Sequence, residues 1–127
     1  MALNEHTRSI IEVAARAADD KLAENISAVD VGDRLGITDA FLMASAETER
    51  QVNAVVDAIE KALSEELGLK PARREGQGEG RWVLLDYLDV VIHVQHQEDR
   101  EFYALDRLWS DCPAVELPDL GSKDGAA

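Results

Sequence analysis

The chain has 127 residues, of which 46% are hydrophobic and 31% are charged, and its net charge is −13. This length suits one domain with a buried core, and no apolar run approaches the roughly 18 residues that a membrane span requires. So strong a negative charge repels phosphate backbones, which argues against direct, sequence-specific nucleic-acid binding. The single cysteine, Cys112, excludes an internal disulfide and any zinc site built from several cysteines.

The N-terminal sequence MALNEHTRSIIEVAARAADDK is too acidic and too evenly patterned for a signal peptide, so we expect a cytoplasmic protein. Apolar residues recur there at helical spacing, which predicts an amphipathic helix over residues 4–24. Two short strands are predicted next, over residues 27–31 and 39–45. The connection of about seven residues is too short for a parallel crossover, so this pair is predicted to be antiparallel.

A long second helix is predicted in the middle of the chain. Thr48 and Gln51 fit a capping box, with Thr48 as the N-cap and the Gln51 side chain reaching back to it. Apolar residues then recur at helical spacing as far as Leu67, and Gly68 supplies a stop signal. The glycine-rich residues 70–80 are typical of a mobile loop.

Two further strands, residues 81–86 and 89–95, and a short helix over about residues 99–109 complete the predicted domain. Residues 113–127 have little to bury, so we expect a flexible tail after a single domain of residues 1–112. The order α-β-β-α-β-β-α predicts an α/β (α+β) fold with a single mixed sheet flanked by helices.

The segment RWVLLDYLDVVIHV places two carboxylates and a histidine on a predicted hairpin. A two-residue turn at Tyr87 and Leu88 would pair the strands in this way: Asp86 with Asp89, Leu84 with Val91, and Trp82 with His93. Paired side chains point to the same side of a sheet. The all-apolar face is therefore expected to be the core face, and it comprises Val83, Leu85, Val90 and Ile92. The opposite face collects the polar residues and the Trp82 ring.

One interpretation of this hairpin is a catalytic or metal-binding cluster, because two carboxylates and a histidine can bind a divalent cation or act as acid and base. Two-metal nucleotidyl transfer would need acids at alternate strand positions, and neither strand has an Asp-x-Asp pair. The Gly-Gln-Gly-Glu-Gly sequence lacks the Lys-Ser or Lys-Thr of a phosphate-binding loop. We therefore disfavour catalysis and expect no cofactor, with a nucleotide-binding or nucleotidyltransferase-like enzyme as the alternative.

The other interpretation is recognition of a macromolecule. Trp82 and Tyr87 bring large contact areas at small entropic cost, and Asp86 and Asp89 can accept charge-assisted hydrogen bonds from a basic partner. A purely structural alternative stays open at this point, in which Trp82 packs under a helix and the two aspartates are ordinary turn residues.

A resemblance to a known family rests on motifs spread over residues 5–112. In chain order they are Thr38-Asp39-x-Phe41, Arg50-Gln51-Val52, Glu75-Gly76, Trp82-x-x-x-Asp86-Tyr87-x-Asp89-Val90-Val91-x-His93 and Glu98-x-Arg100-x-Phe102-Tyr103-x-Leu105-x-x-Leu108-Trp109. Together they resemble the ribosomal silencing factor S (RsfS, or Iojap-like) family. The ending Leu-Trp-x-Asp-Cys-Pro resembles actinobacterial members.

The resemblance implies a core like that of the nucleotidyltransferases without their active site, and a protein that is not an enzyme. Members bind the fourteenth protein of the large ribosomal subunit, a basic protein at the face that meets the small subunit. Occupying that face blocks subunit joining and represses translation when nutrients run short, and a role in large-subunit maturation is also attributed to the family. A homodimer is a further expectation, and no membrane partner is expected.

Carried over position by position, the resemblance marks four candidate contact residues on the hairpin: Trp82, Asp86, Tyr87 and Asp89. Leu88, which departs from the family pattern, is a fifth candidate because its apolar tip would enlarge the contact. Four more residues match family positions: Thr38, Asp39, Arg50 and Gln51. For these four we favour simpler roles, a strand-entry turn for the first two and helix capping for the last two.

The remaining matched residues are expected to have supporting roles. His93 is expected to hydrogen-bond to Trp82 or Glu98, and Glu98 to form a local salt bridge with Arg100. Five residues of the last helix are interpreted mostly as core or as a dimer seam: Phe102, Tyr103, Leu105, Leu108 and Trp109.

Two departures from the family pattern matter. Leu88 stands where many members have glycine, which leaves the turn type open, and Gln95 replaces a common apolar residue, which argues against a buried strand end.

Overall fold

The computed structural model describes residues 3–118 and 120. In chain order the elements are α1 (Glu5–Asp20), β1 (Glu24–Asp30), α2 (Gly32–Leu35), β2 (Ala40–Ala46), α3 (Glu49–Leu67), β3 (Arg73–Glu75), β4 (Trp82–Asp86), β5 (Val90–His96), α4 (Gln97–Tyr103) and α5 (Leu105–Leu108). The strands form one sheet in the order β1-β2-β5-β4-β3. β2 and β5 are parallel and the other neighbours are antiparallel. The predicted mixed sheet flanked by helices is therefore confirmed.

The two long helices begin and end at residues that the sequence indicates. The Asn4 side chain accepts a hydrogen bond from the backbone N–H of Thr7 at 2.8 Å, and the Thr48 hydroxyl accepts one from Gln51 at 3.0 Å. Gly68 ends α3 with φ +68°, a conformation that costs glycine little. The second half of the predicted capping box is wrong, because the Gln51 side chain instead donates to the carbonyl of Lys21 at 3.1 Å. That bond ties the start of α3 to the end of α1.

Helices α1 and α3 cover one face of the sheet, which we call the inner face. Its buried strand residues are aliphatic and alternate along each strand, as the hairpin pattern predicted. They include Leu42 and Ala44 on β2, Val83 and Leu85 on β4, and Val90, Ile92 and Val94 on β5. Against them pack the apolar stripes of the two helices, among them Ile10, Ile11, Val55, Ile59 and Leu63. Hydrophobic burial of this kind supplies most of the driving force for folding.

Three short elements differ from the prediction. Residues 73–75, expected in a loop, form the exposed edge strand β3, and residues 32–35 form one helical turn. The predicted last helix is two helices, because Ala104 adopts φ +52° and breaks it between α4 and α5. Neither a three-residue edge strand nor a single left-handed alanine has a periodicity that sequence patterns reveal.

The C-terminal segment also differs from the expected flexible tail. The Asp30 N–H donates to the carbonyl of Pro113 at 2.8 Å, and the Val115 N–H donates to that of Ala28 at 2.9 Å. Leu120 is buried in the core. Residues 113–115 therefore extend the hydrogen bonding along the edge of β1. The tail from residue 121 onward lies outside the described residues.

Candidate docking surface

The hairpin turn is centred on Leu88 and Asp89, one position later than predicted. Leu88 has φ +73°, and its N–H donates to the Asp86 carboxylate at 2.8 Å. The Tyr87 N–H donates to the carbonyl of Val90 at 2.9 Å. Left-handed φ values favour glycine, so Leu88 occupies a conformation that suits glycine better than leucine.

The predicted strand pairing is wrong by two residues because of this turn. Asp86 lies opposite Val91, not Asp89, and Leu84 lies opposite His93. An even shift keeps every side chain on its predicted side of the sheet. Trp82, which pairs with Gln95, therefore still shares a face with His93. This face, opposite α1 and α3, is the outer face.

The hairpin turn meets the start of β2 at one end of the sheet. The backbone N–H groups of Asp39 and Ala40 both donate to the carbonyl of Asp89, at 2.9 and 3.2 Å. The carboxylate of Asp89 lies 3.7 Å from the imidazole of His6, and that of Asp39 accepts from the Thr7 hydroxyl at 3.1 Å. Two of the predicted contact residues, Asp39 and Asp89, are thus held side by side.

Exposed apolar side chains flank these carboxylates. Leu88 is 64% exposed and Ile37, which the sequence analysis did not single out, is 84% exposed. We call the group Ile37, Asp39, Leu88 and Asp89 the turn end. Thr38 stands between Ile37 and Asp39 in the chain but is buried, and its hydroxyl finds no hydrogen-bond partner among the described residues.

Tyr87 occupies a different environment from its neighbours in the turn. It is 7% exposed and belongs to the core on the inner face. Its hydroxyl has no hydrogen-bond partner in the described part of the chain. Burial, with the nearby Glu60 carboxylate and against the opposing effect of Arg74, raises the pKa of Tyr87 to about 12. The Tyr87 ring therefore packs in the core next to the turn and offers little surface to a partner.

Trp82 and His93 form a hydrogen-bonded pair on the outer face. The Trp82 indole Nε1–H donates to His93 Nδ1 at 3.2 Å, which confirms one of the two predicted partners of His93. A ring nitrogen that accepts in this way carries no proton, so the neutral imidazole has its proton on Nε2. Burial lowers the pKa of His93 to about 4 and keeps this neutral form.

Residues 97–109, which we call the cap, cover part of the outer face. The Tyr103 ring lies 4.8 Å from that of Trp82, and the Trp109 ring meets Phe41 edge-on at 5.3 Å. Much of the cap still faces solvent: Phe102 is 80% exposed, and Tyr103 and Leu108 are exposed too. The core interpretation is therefore wrong for these three residues, whereas Leu105 and Trp109 are half-buried.

Two further expectations about this region are wrong. Gln95 is fully buried, because it lies on β5 immediately before the cap folds over the sheet. Glu98 does not pair with Arg100. It pairs with Arg81 at 3.0 Å, whereas Arg100 pairs with Asp106 at 2.9 Å. The break at Ala104 turns the chain back and brings Asp106 to Arg100.

Arg50 and Gln51 lie at the other end of the sheet from the hairpin turn. β2 runs parallel to β5, so Ala46 at the end of β2 lies beside His96, far along β5 from the turn. Helix α3 starts just after Ala46. The structure therefore brings Asp86 and the turn end together but separates Arg50 and Gln51 from them. Trp82 pairs with Gln95, so it too lies toward the end of the sheet away from the turn, on the outer face.

The arrangement offers carboxylates and apolar side chains for contact with another molecule. Among the described residues, no group of three or more His, Cys, Asp or Glu side chains is placed to hold a metal ion. Within the same part of the chain, no helix is long and apolar enough to cross a membrane.

Comparison with known proteins decides the family. A family model described as "Ribosomal silencing factor during starvation" matches residues 4–127. The chain belongs to this family, RsfS. The RsfS protein of Bacillus subtilis is 41% identical over 110 residues, which cover 87% of this chain and 92% of that protein. A mouse relative, "Mitochondrial assembly of ribosomal large subunit protein 1", is 29% identical over 69% of this chain and 40% of its own length.

Solved structures agree with the family assignment. A crystal structure from Bacillus halodurans has a TM-score of 0.73 and 37% identity, covering 90% of this chain and all of that one. A second, from Chromobacterium violaceum, has a TM-score of 0.77 and 27% identity, covering 91% of this chain and 92% of that one. The family and the fold expected from the sequence are both confirmed. The bacterial relatives are named as silencing factors, which are regulatory proteins.

Proposed function

We propose that this RsfS protein represses translation by binding the large ribosomal subunit in the cytoplasm and blocking the small subunit from joining it. The partner on the subunit is its basic fourteenth protein, and the repression acts when nutrients are limited. Help in maturation of the large subunit belongs to the same proposal, because the mouse relative is named for assembly of that subunit.

The observation that carries the proposal is the composition of the turn end. Exposed Leu88 and Ile37 offer apolar area next to the carboxylates of Asp39 and Asp89. Carboxylates bind Lys and Arg through charge-assisted hydrogen bonds, and buried apolar anchors supply most of the energy at interfaces. The net charge of −13 adds long-range attraction to a basic partner.

The structure suggests distinct roles for the proposed contact residues. Asp89 and Leu88 would touch the partner, and Trp82 would extend the contact along the outer face. Asp86 accepts the Leu88 N–H and Tyr87 packs behind the turn, so both would act chiefly by shaping it. Thr38 and Asp39 would line the same end, whereas Arg50 and Gln51 would take part only in a contact that reaches the other end of the sheet.

A subunit-joining assay tests the proposal directly. Purified protein is added to separated ribosomal subunits before magnesium is raised, and the joined fraction is measured in a sucrose gradient. We expect the joined fraction to fall as the protein saturates the large subunit. An unchanged joined fraction at saturating protein would rule out steric repression.

Leu88→Gly separates binding from folding. Glycine tolerates φ +73°, so the variant should be as stable as the parent or more stable by up to about 1 kcal/mol. Loss of the apolar tip should weaken binding to the large subunit by about 1 kcal/mol or more. Leu22→Gly is a matched control, because Leu22 also has positive φ (+63°) and is 58% exposed, but it follows α1, near Gln51 and away from the turn. If Leu22→Gly weakened binding to the large subunit as much as Leu88→Gly, the binding contact would not be at the turn end.

Asp89→Lys tests the electrostatic part. Reversing this half-exposed charge should slow association with the large subunit and reduce the dependence of the rate on salt. Asp57→Lys makes the same charge change on α3, behind the inner face, and should leave the salt dependence closer to that of the parent. A larger effect from Asp57→Lys would contradict docking through the turn end.

Homodimerisation stays a prediction. The exposed cap residues Phe102 and Leu108 are the apolar surface that a second copy would cover. Light scattering should then give twice the chain mass of 13.9 kDa, and Phe102→Ser should return the mass to that of one chain. A parent that stays at the mass of one chain at high concentration would exclude the dimer.

A further inference from the structure

The cap is attached to the sheet in an unusual way. The structure describes every residue of α4 and α5, and Arg100 is the one among them that is buried. Apolar residues normally hold a helix to a sheet, but here Phe102 and Leu108 are largely exposed and Tyr103 is half-exposed. A charged side chain takes their place.

The Arg100 guanidinium joins four elements. Its Nε and Nη2 donate to the two carboxylate oxygens of Asp106 on α5, at 3.1 and 2.9 Å. Nη2 also donates to the Ser27 hydroxyl on β1 at 3.2 Å, and Nη1 donates to the Ser45 hydroxyl on β2 at 3.4 Å. A planar guanidinium suits such multiple, fixed bonds. We call these contacts the Arg100 clip.

The clip fixes the geometry around Trp82. It holds α4 on the sheet, and Tyr103 at the end of α4 contacts the Trp82 ring at 4.8 Å. Between Arg100 and Asp106 the chain passes through Ala104, whose left-handed φ of +52° is unfavourable for a non-glycine residue. The clip bridges this strained joint, so loss of the clip would let both helices move away from the outer face.

We propose that Arg100 is a positioning residue for docking: paired with Asp106, it holds the cap so that Tyr103 and Trp82 form one continuous surface on the outer face, toward the end of the sheet opposite the turn end. This inference rests on the proposed function and adds a residue that does not touch the partner. Because α1 and α3 pack on the inner face, the core persists when the clip opens.

Asp106→Asn is the principal test, because it keeps the size of the side chain and removes the charge. Hydrogen exchange of the full-length variant should speed up at least tenfold in residues 97–109 and stay unchanged in α1 and α3. Affinity for purified large subunits should fall at least tenfold. Asp106→Glu should restore much of both properties, and Arg107→Gln, which changes an exposed arginine of the same helix, should alter neither.

Arg100→Met provides a second variant that removes the clip completely, and it should reproduce both effects of Asp106→Asn. If Arg100→Met does not fold, Asp106→Asn decides the question alone, since the Asp106 carboxylate is partly exposed and its loss leaves the contacts of Arg100 with Ser27 and Ser45 in place.

The outcomes separate this inference from the proposed function. Unchanged exchange in Asp106→Asn would overturn the clip, and a loosened cap with undiminished affinity would overturn its role in docking. If the parent protein itself does not bind the large subunit, the proposed function fails and the docking role of Arg100 fails with it. If the parent binds and only the Arg100 predictions fail, the proposed function stands.

Discussion

The two faces of the sheet are covered by different chemistry. The inner face is a continuous aliphatic layer under two long helices, with residues such as Leu42 and Ile92 fully buried. The outer face carries Trp82, His93 and Gln95, and its cap is held by the guanidinium of Arg100. Polar atoms of His93 and Gln95 there find no partner among the described residues.

This difference separates stability from recognition. Apolar contacts on the inner face are non-directional and sum to most of the folding free energy. Hydrogen bonds on the outer face fix particular side chains at particular positions, and each adds only modestly to stability. Changes on the inner face should therefore unfold the protein, whereas changes on the outer face should chiefly alter what it binds.

Leu63→Ala should show the largest loss of stability. Leu63 is fully buried against the inner face, so its truncation leaves a cavity and should lower the free energy of unfolding by roughly 2 to 5 kcal/mol. The same change at exposed Leu108 of the cap should cost less than about 0.5 kcal/mol. Urea denaturation measures both, and comparable losses would remove the distinction between the faces.

Acid should weaken the protein through His93. Its pKa is about 4 in the folded state and about 6.5 when exposed, so the unfolded state binds the proton first as pH falls. This histidine should therefore cost stability progressively from pH 6.5 to pH 4, by about 3 kcal/mol in all, with no further loss below. The neutral form at higher pH carries no such cost.

The comparison that isolates this effect is between the parent and His93→Gln, which does not titrate. Carboxylates contribute equally to both proteins, so the difference in unfolding free energy between pH 7 and pH 4.5 reports His93. If the difference in unfolding free energy between the two proteins were the same at both pH values, the pKa of His93 would not be lowered by folding. The imidazole would then be in contact with water on the outer face.

The face of each strand residue was predictable, and the exact pairing was not. Alternation along Val83 and Leu85 fixes the inner face whatever the register. The register depends on a turn in which Leu88 takes a left-handed φ and Asp86 accepts its N–H. The role of Asp86 is an ordinary one for a turn aspartate, but the φ of Leu88 is one that leucine disfavours, so residue type did not place the turn there. The same alternation also puts Tyr87 on the inner face, a signal that the assumed turn at Tyr87 concealed.

The cap was the least predictable part of the site. Apolar residues at helical spacing between Phe102 and Trp109 predict one buried helix. A single left-handed residue, Ala104, splits it and turns its aromatic side chains outward. The pairing of Arg100 with Asp106 depends on that break, so the local pairing with Glu98 was the natural expectation from sequence.

Trp82→Phe should have a moderate effect. It keeps an aromatic ring beside Tyr103 but removes the N–H that His93 Nδ1 accepts, so stability should fall by about 1 kcal/mol. In a double-mutant cycle with His93→Leu, the interaction free energy between the two residues should account for most of that loss of about 1 kcal/mol. Coupling near zero would mean that the bond does not order the outer face.

Asp111→Asn should have the smallest effect, although its ion pair is geometrically good. Arg34 Nη1 lies 2.6 and 2.7 Å from the two Asp111 oxygens, but both side chains are substantially exposed to water. Exposed pairs contribute little, so the free energy of unfolding should fall by less than about 0.5 kcal/mol. Asp106→Asn, which deprives the buried Arg100 of its charged partner, should cost clearly more, because an uncompensated buried charge is unfavourable. Equal losses in urea denaturation would mean that burial of the arginine does not set the strength of these pairs, and that the cap is held by something other than the Arg100 clip.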